Sequence, residues 1–441
     1  MVYLDLTGRN DWSSTLSKAN RSFFYPSASL SFIFSEALRK ATSSDLSWLT
    51  FAKIRGSYAS VGNDMGPYQL YNTYSINKDP NGNVVASKNE VLFNSDVKSE
   101  LIHSWEVGLE AKLLDSRLNF DLAFYKSNAV NQLLNIPING LEGYKYKKIN
   151  AGDIENKGFE LMVNAVPVIT NDFTWDLTLN LSKNVNTVKE LAEGVTQYQL
   201  GAFDNVHVLA AAGERYGVIY GTKFARVEDE KSPYYGKVIV DEEGIPTAAP
   251  GSHYLGNQQP DFMAGITNTF TYKNLSLSFQ IDGRFGGKIF SFTNRMLKAN
   301  GRSYVTAPGG NRDKITYDGV QLVNGKYQPN TAKTDPQDFW TKLESRSSGN
   351  VGITEENLFD ATNIRLRNLS INYVLPHKLL DGTAIQGASI GLSANNLWMI
   401  KSYMDGVDPE SVYATGSNAV GLEALAPPTN RSYYINLSIN F

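Results

Sequence analysis

At 441 residues the chain has room for two or three ordinary domains or for one large barrel, and its net charge of −3 leaves no strong electrostatic case for nucleic acid. Charged residues make up 19%, below the roughly 25% of soluble domains, while 24 Tyr and 21 Phe bring aromatics to 12%, a balance suited to aromatic girdles and neutral polar walls. The absence of cysteine excludes disulfides and thiolate chemistry, no run approaches the roughly 18 apolar residues of a spanning helix, and Asp5 and Arg9 interrupt the stretch where a signal peptide needs an unbroken apolar core.

Taken in chain order, the residues alternate apolar and polar in one segment after another, the period of a strand with one greasy and one wet side. Val2–Thr7 alternates weakly and Ser27–Phe34 better; Leu49–Val61 sets Ala52, Ile54 and Tyr58 against Lys53, Arg55 and Ser57. Trp105 to Leu113 alternates with Glu106 and Glu110, and after a turn at Asp115–Ser116 the apolar string Leu118, Phe120, Leu122, Phe124 follows. Next come Phe159 to Ala165, Phe173 to Leu181, Phe262 to Tyr272, and Leu275 to Ile281 after a turn at Lys273–Asn274. In Ile364–Tyr373 the phase breaks: Ile364 and Leu366 share one parity, and Leu369, Ile371 and Tyr373 the other, so a bulge is expected near Arg367–Asn368. Ala388–Ala394 precedes the last stretch, in which Tyr433, Ile435, Leu437, Ile439 and Phe441 alternate with Tyr434, Asn436, Ser438 and Asn440. The eleven residues from Arg431 to Phe441, tilted about 45°, cover roughly 26 Å of depth, close to the apolar band of an outer-membrane barrel.

The connections alternate as well. Short ones are expected at Ser35–Trp48, Asp115–Ser116, Pro167–Asn171, Lys273–Asn274 and Leu375–Ile385. Long ones are expected at Gly8–Pro26, Gly62–His103, Asn128–Lys145, Asn184–Gln258, Lys288–Leu358 and Asn395–Asn430, with the strand-like pieces Tyr216–Val227 and Lys237–Val240 an excursion inside one of them. Short turns on one side and long loops on the other describe a transmembrane antiparallel β-barrel, here all-β with about twelve spanning strands; a soluble sandwich has no reason to alternate so.

Eight segments then carry a resemblance: RNDWSS (9–14), FFYPSASLSF (23–32), KIRGSYASVGN (53–63), NAGDIENKGFEL (150–161), YLGNQQPDFMAGITNTFTYKNLSLSFQIDGRFGG (254–287), ATNIRLRNLSINYVLP (361–376), SANNLWMIKSYMDGVDPES (393–411) and NRSYYINLSINF (430–441). In this order they resemble the carboxy-terminal half of the SusC/RagA family of TonB-linked outer-membrane proteins (TonB-dependent receptors). The resemblance implies that residues 1–441 are the last twelve or so strands of a barrel of about 22 strands, with the plug and amino-terminal domains outside this chain. It implies the outer membrane of a Gram-negative, Bacteroidetes-like cell, and import of glycans or peptides. The partners it implies are a SusD-like surface lipoprotein acting as a lid, the TonB–ExbB–ExbD motor acting through the missing amino-terminal part, outer-membrane lipid and the barrel-assembly machinery. Tyr433, Ile435, Leu437, Ile439 and Phe441 would then form the carboxy-terminal barrel-assembly signal. A half sheet would leave two open edges in lipid, where backbone groups need partners, so the chain is expected to be part of a longer wall.

No enzymatic chemistry competes with this reading. His103, His207, His253 and His377 fall in loops or at strand ends without the close spacing of a metal site, so no metal or cofactor is expected, and no G-x-S-x-G, Walker or G-x-G-x-x-G motif occurs. Asn77, Asp79, Asn81 and Gly82 imitate the start of a calcium loop, but Lys88 holds the twelfth position; Asn81–Gly82 reads better as a hairpin turn. Glu106, Glu110, Asp121 and Asp176 recur along strands as a hydrated wall would place them, rather than as a glycosidase pair. The runs Glu228–Glu230 and Asp241–Glu243 read as solvated loop surface. Tyr68, Tyr71 and Tyr74 suit sugar stacking, a girdle or a lid interface alike, so substrate-binding residues stay unassigned. The alternative is a soluble all-β carbohydrate-binding or adhesive protein.

Overall fold

The computed structural model describes residues 1–42, 46–345, 351–413, 416 and 418–441; positions 43–45, 346–350, 414, 415 and 417, within three of the expected connections, lie outside the described residues. Twelve strands follow one another in a single antiparallel sheet, each hydrogen-bonded to its neighbours in sequence order. They are β1 (Val2–Trp12), β2 (Ser22–Ile33), β3 (Leu49–Asn63), β4 (Glu100–Leu113), β5 (Leu118–Pro137) and β6 (Tyr146–Ile169). The sheet continues with β7 (Phe173–Glu190), β8 (Phe262–Tyr272), β9 (Leu275–Phe285), β10 (Asn363–Val374), β11 (Gly387–Ser402) and β12 (Ser432–Asn440). All twelve expected strands are present.

The register explains why alternation was so regular. Directly opposed residues share a face, so apolar positions continue across the sheet as rows. One row runs Trp175–Phe270–Leu277–Ile371–Leu392–Ile435, and another Ile54–Leu109–Leu122–Leu161–Leu181. A one-residue slip anywhere would turn a whole strand's apolar side to the wet face. The phase break in β10 is resolved as expected. Both ladders skip Arg367, with Leu366 opposite Ile281 and Trp398 while Asn368 lies opposite Gln280 and Asn395.

The boundaries differ from the expectation on the long-loop side. Hydrogen bonding carries β5 into Asn128–Lys145 as far as Pro137, which pairs with Tyr146 at the start of β6, and β7 runs on to Glu190. Likewise β1 continues to Trp12, β4 starts at Glu100 and β11 continues to Ser402, so five of the six expected loops are shorter than alternation implied. These extensions carry polar residues on both faces, so periodicity could not show them. At the opposite rim the expected short connection Ser35–Trp48 contains helix α1 (Phe34–Thr42), whose Arg39 donates to the carbonyls of Leu49 and Thr50 at 2.8 and 2.6 Å. Leu114, Asp115 and Ser116 all adopt positive φ in the tight turn from β4 to β5.

Buried side chains gather above the sheet. Three long loops fold together into a cap that includes a four-stranded sheet (Gln197–Phe203, Val206–Ala211, Val218–Gly221, His253–Asn257) and helices α2 (Phe292–Ala299) and α3 (Pro336–Leu343). The pieces around Tyr216–Val227 and Lys237–Val240 belong to this cap, not to the wall. Two of its cores contain Val206, Val208, Ile219, Phe290 and Leu422 in one, and Phe224, Ile245, Phe339, Leu343 and Ile353 in the other.

Candidate functional site: the polar wall and its cap

The face opposite the apolar rows is lined by paired charges. Lys53 meets Glu110 at 2.7 Å, while Arg55 binds Glu106 at 3.1 Å and Asp121 at 2.9 Å, so one guanidinium joins β3, β4 and β5. Asp176 is exposed opposite Thr269 on β8. Glu106, Glu110 and Asp121 are therefore members of ion pairs on a solvated wall, where charge costs little. A cleft of about 760 Å³ opens on this face, bounded by Arg55, Asp121, Glu160, Asp282, Arg284 and Glu410. Arg284 spends one Nη on the carbonyl of Gln258, and its buried Nε has no hydrogen-bond partner among the described residues.

The bulge aims Arg367 at this face. Its guanidinium takes Asp282 of β9 in a two-bond clamp at 2.9 and 2.7 Å, and Glu410 of the last long loop in another at 3.0 and 2.8 Å. Two residues earlier, Arg365 is buried with Asp408: it donates from both Nη atoms to that carboxylate, and from Nε to Asn363 at 3.0 Å. Asp408 also accepts from the backbone N–H of Thr429 at 3.1 Å and from its hydroxyl. These arginine and hydroxyl donors hold the Asp408 carboxyl below the usual carboxylate range against the opposing effect of burial. Alternate residues of β10 thus grip alternate residues of the loop DPE, and Thr429 carries the grip to the start of β12. Bidentate arginine–carboxylate geometry makes these the strongest class of charged hydrogen bond. Residue pattern alone did not reveal this pairing; the signal was that the IRLRN and GVDPES segments occur together.

Buried polar groups lock the cap in the same way. Gln258, wholly buried, donates Nε2 to the Asn418 carbonyl and accepts the Gly421 N–H at its Oε1, both at 2.8 Å. Glu423 accepts from the Ser291 hydroxyl at 2.6 Å and from Thr293. Arg226 forks onto Glu355 at 2.9 and 2.6 Å. Glu344, at the end of α3, accepts one hydrogen bond from Asn357 at 2.6 Å, while its Oε1 has no partner among the described residues. Burial pushes its carboxyl up to about 8.

Other expected positions fall as follows. Tyr433, Ile435, Leu437 and Ile439 lie on one face of β12, which pairs with β11, and Phe441 follows the strand 78% exposed. Asp79 accepts the N–H groups of Asn81 and Asn83 at 2.9 Å each, in a hairpin with Gly82 at φ 85°, so its carboxylate serves a turn. Tyr68, Tyr71 and Tyr74 are exposed beside or on that hairpin. His103, His207 and His253 bond Tyr58, Gln199 and the Pro250 carbonyl separately, and among the described residues no acidic or histidine cluster has metal-binding geometry.

The family model described as "TonB dependent receptor-like, beta-barrel" matches residues 2–397. TonB-dependent receptor P3 of Formosa agariphila is 27% identical over 99% of this chain and 43% of its own length. TonB-dependent receptor SusC of Bacteroides thetaiotaomicron is 28% identical over 64% of this chain and 30% of its own. A solved RagAB peptide importer in the closed-closed state aligns over all of this chain and 46% of its own, with a TM-score of 0.74 at 21% identity. The chain spans less than half the length of these relatives.

Proposed function

Since this chain belongs to the TonB-dependent receptor-like β-barrel family, we propose that it supplies twelve adjacent wall strands and the extracellular cap of an outer-membrane nutrient importer. The observation that carries this reading is the apolar row crossing β7 to β12, backed by a paired polar face and a cap confined to the long-loop side. The apolar rows would face lipid, the charged face would line a hydrated lumen, and the cap would form part of its extracellular mouth. The cargo class is an oligomer of sugars or amino acids, supported by the likeness to SusC and to the RagAB peptide importer. A SusD-like surface lipoprotein closing the mouth, and TonB with ExbB and ExbD supplying work, complete the proposed machine. Tyr433, Ile435, Leu437, Ile439 and Phe441 are proposed as the segment read by the barrel-assembly machinery; their exposure on a strand paired only with β11 among the described strands supports that role.

The test is to disrupt the gene in its host, follow growth on panels of oligosaccharides and peptides, and locate the tagged receptor. Loss of growth on one oligomer but not on its monomer, with the receptor in the outer membrane as a heat-modifiable band, is expected. A freely soluble, secreted product that binds sugar without detergent would establish the adhesive alternative instead.

A further inference from the structure

Above the apolar strings of β5, β6 and β7, the lipid-side face changes abruptly. The outward residues Leu118, Phe120, Leu122 and Phe124 of β5 are followed, at the next outward position, by Lys126. On β6 the string Val163, Leu161, Phe159 is followed by Lys157, and on β7 the string Leu177, Leu179, Leu181 by Lys183. Three consecutive strands therefore place an ammonium group just past their apolar segments. Lys126 lies directly opposite Trp105, itself opposite Tyr58, and both rings are exposed on the same side. Aromatic girdles mark the membrane–water interface, which sets the lysines at headgroup height on the long-loop side.

The cluster also has a fixed centre. Glu155, the next outward residue of β6, is only 7% exposed in its side chain; Lys126, Lys157 and Lys189 surround it at 2.8, 3.4 and 4.0 Å. One carboxylate cannot neutralise three ammonium groups, and each ammonium carries three donors. The three pairs therefore leave the cluster with net positive charge and unused donors on partly exposed side chains. Asp153, one outward step higher, accepts from Asn128 at 2.8 and 3.1 Å and lies opposite Glu190, next to Lys189.

We propose that Lys126, Lys157 and Lys189, clustered about Glu155, together with Lys183 lower on β7, form a docking site for the phosphate groups of an anionic glycolipid in the outer leaflet. The occupant is identified by charge complementarity and position: a phosphate fixed at the interface beside an apolar wall meets both the ammonium groups and the Phe124–Phe159 surface beneath them, whose rings pack 6.1 Å apart. The inference rests on the membrane-spanning reading above. Its consequence is a receptor anchored on one arc of its circumference, so that the cap above β5 to β7 keeps a set height over the membrane.

The experiment uses the complete receptor purified from outer membranes and titrated with fluorescent phosphorylated lipid A in mixed micelles, with dephosphorylated lipid A as control. The double variant Lys157→Gln/Lys183→Gln keeps the Lys126–Glu155 pair. It should bind about fivefold more weakly per lysine removed, on the order of 25-fold in all. Glu155→Gln should bind at least as tightly as the wild type. The proposal is overturned if the double variant and wild type bind alike, if dephosphorylated lipid A binds equally well, if free inorganic phosphate displaces the lipid at matched phosphate concentration, or if Glu155→Gln loses as much affinity as the double variant. Failure of the membrane reading is distinct: the receptor would then show no heat-modifiable band, whatever its lipid affinity.

Discussion

On β12 Ile435 and Leu437 are 78% and 67% exposed, whereas in the cap Ile219, Phe290 and Ile353 are completely buried. The same residue types therefore serve opposite ends in two regions of one chain. In the wall the apolar side chains form an exposed surface, which the proposed function turns toward lipid; in the cap they form interiors, and their partners are each other. The polar groups reverse accordingly. On the wall Arg55, Glu106 and Asp121 stay partly solvated, while in the cap Gln258, Glu344 and Glu423 are buried, two of them fully matched by named donors and acceptors. A wall fixes register through repetition; a cap fixes shape through packing and unique hydrogen bonds.

The Arg365–Asp408 pair is where the wall grips the last long loop, so it is the first place to separate them. Arg365→Ala strands a buried carboxylate and should cost about 3–5 kcal/mol locally. Limited proteolysis should then cut between residues 403 and 431 while the heat-modifiable band persists; an uncut loop would show that the wall does not depend on this grip to hold it. The next pair of variants exchanges the two environments. Leu277→Arg puts a charge on the lipid side and should cost about 2–4 kcal/mol near the bilayer midplane, abolishing the heat-modifiable species. Ile219→Ala removes buried methyl groups from the cap and should cost about 2–4 kcal/mol, lowering the cap's melting point while the receptor still reaches the membrane. If Ile219→Ala also blocks assembly, wall and cap fold as one unit and the contrast fails.

The same contrast decides what could be read from sequence. Twelve strands and the Arg367 bulge were legible because the wall uses one rule at every step: alternate residues share one apolar face. The alternation stops above the apolar strings, which is why periodicity assigns the upper parts of β5 and β7 to loops. In the cap, Val206, Val208 and Ile219 join Phe290 and Leu422 across long stretches of intervening chain, and no local period records that. The carboxylates Glu106, Glu110 and Asp121 were placed correctly on the wet face, but their arginine and lysine partners depend on register between strands. Likewise, the clamp of Arg365 and Arg367 on Asp408 and Glu410 needs the bulge and the loop together. α1 was missed because the turn side was expected to hold turns alone.

A smaller and more selective effect comes from Glu344, the carboxyl that burial raises from an ordinary 4.5 to about 8. The folded cap binds this proton more tightly than the unfolded chain does. Its contribution to stability is therefore complete below about pH 4.5 and is lost as pH rises through about 8. Nothing comparable is expected from the lipid-facing rows, which carry no titrating group in the stretches Leu118–Phe124 and Leu275–Ile281 on their outward side. The cap of the wild-type receptor should thus melt at a lower temperature at pH 9 than at pH 5. Glu344→Gln, which keeps an acceptor for Asn357 without the charge, should raise the pH 9 melting point and change it far less at pH 5. With the other tryptophans replaced by phenylalanine, the fluorescence of Trp340 on α3 follows the cap, while heat-modifiable mobility follows the wall in the same samples. A pH response shared by both signals would mean that wall and cap melt as one unit. A response confined to the cap would show that the two regions, though joined by Arg365, open separately.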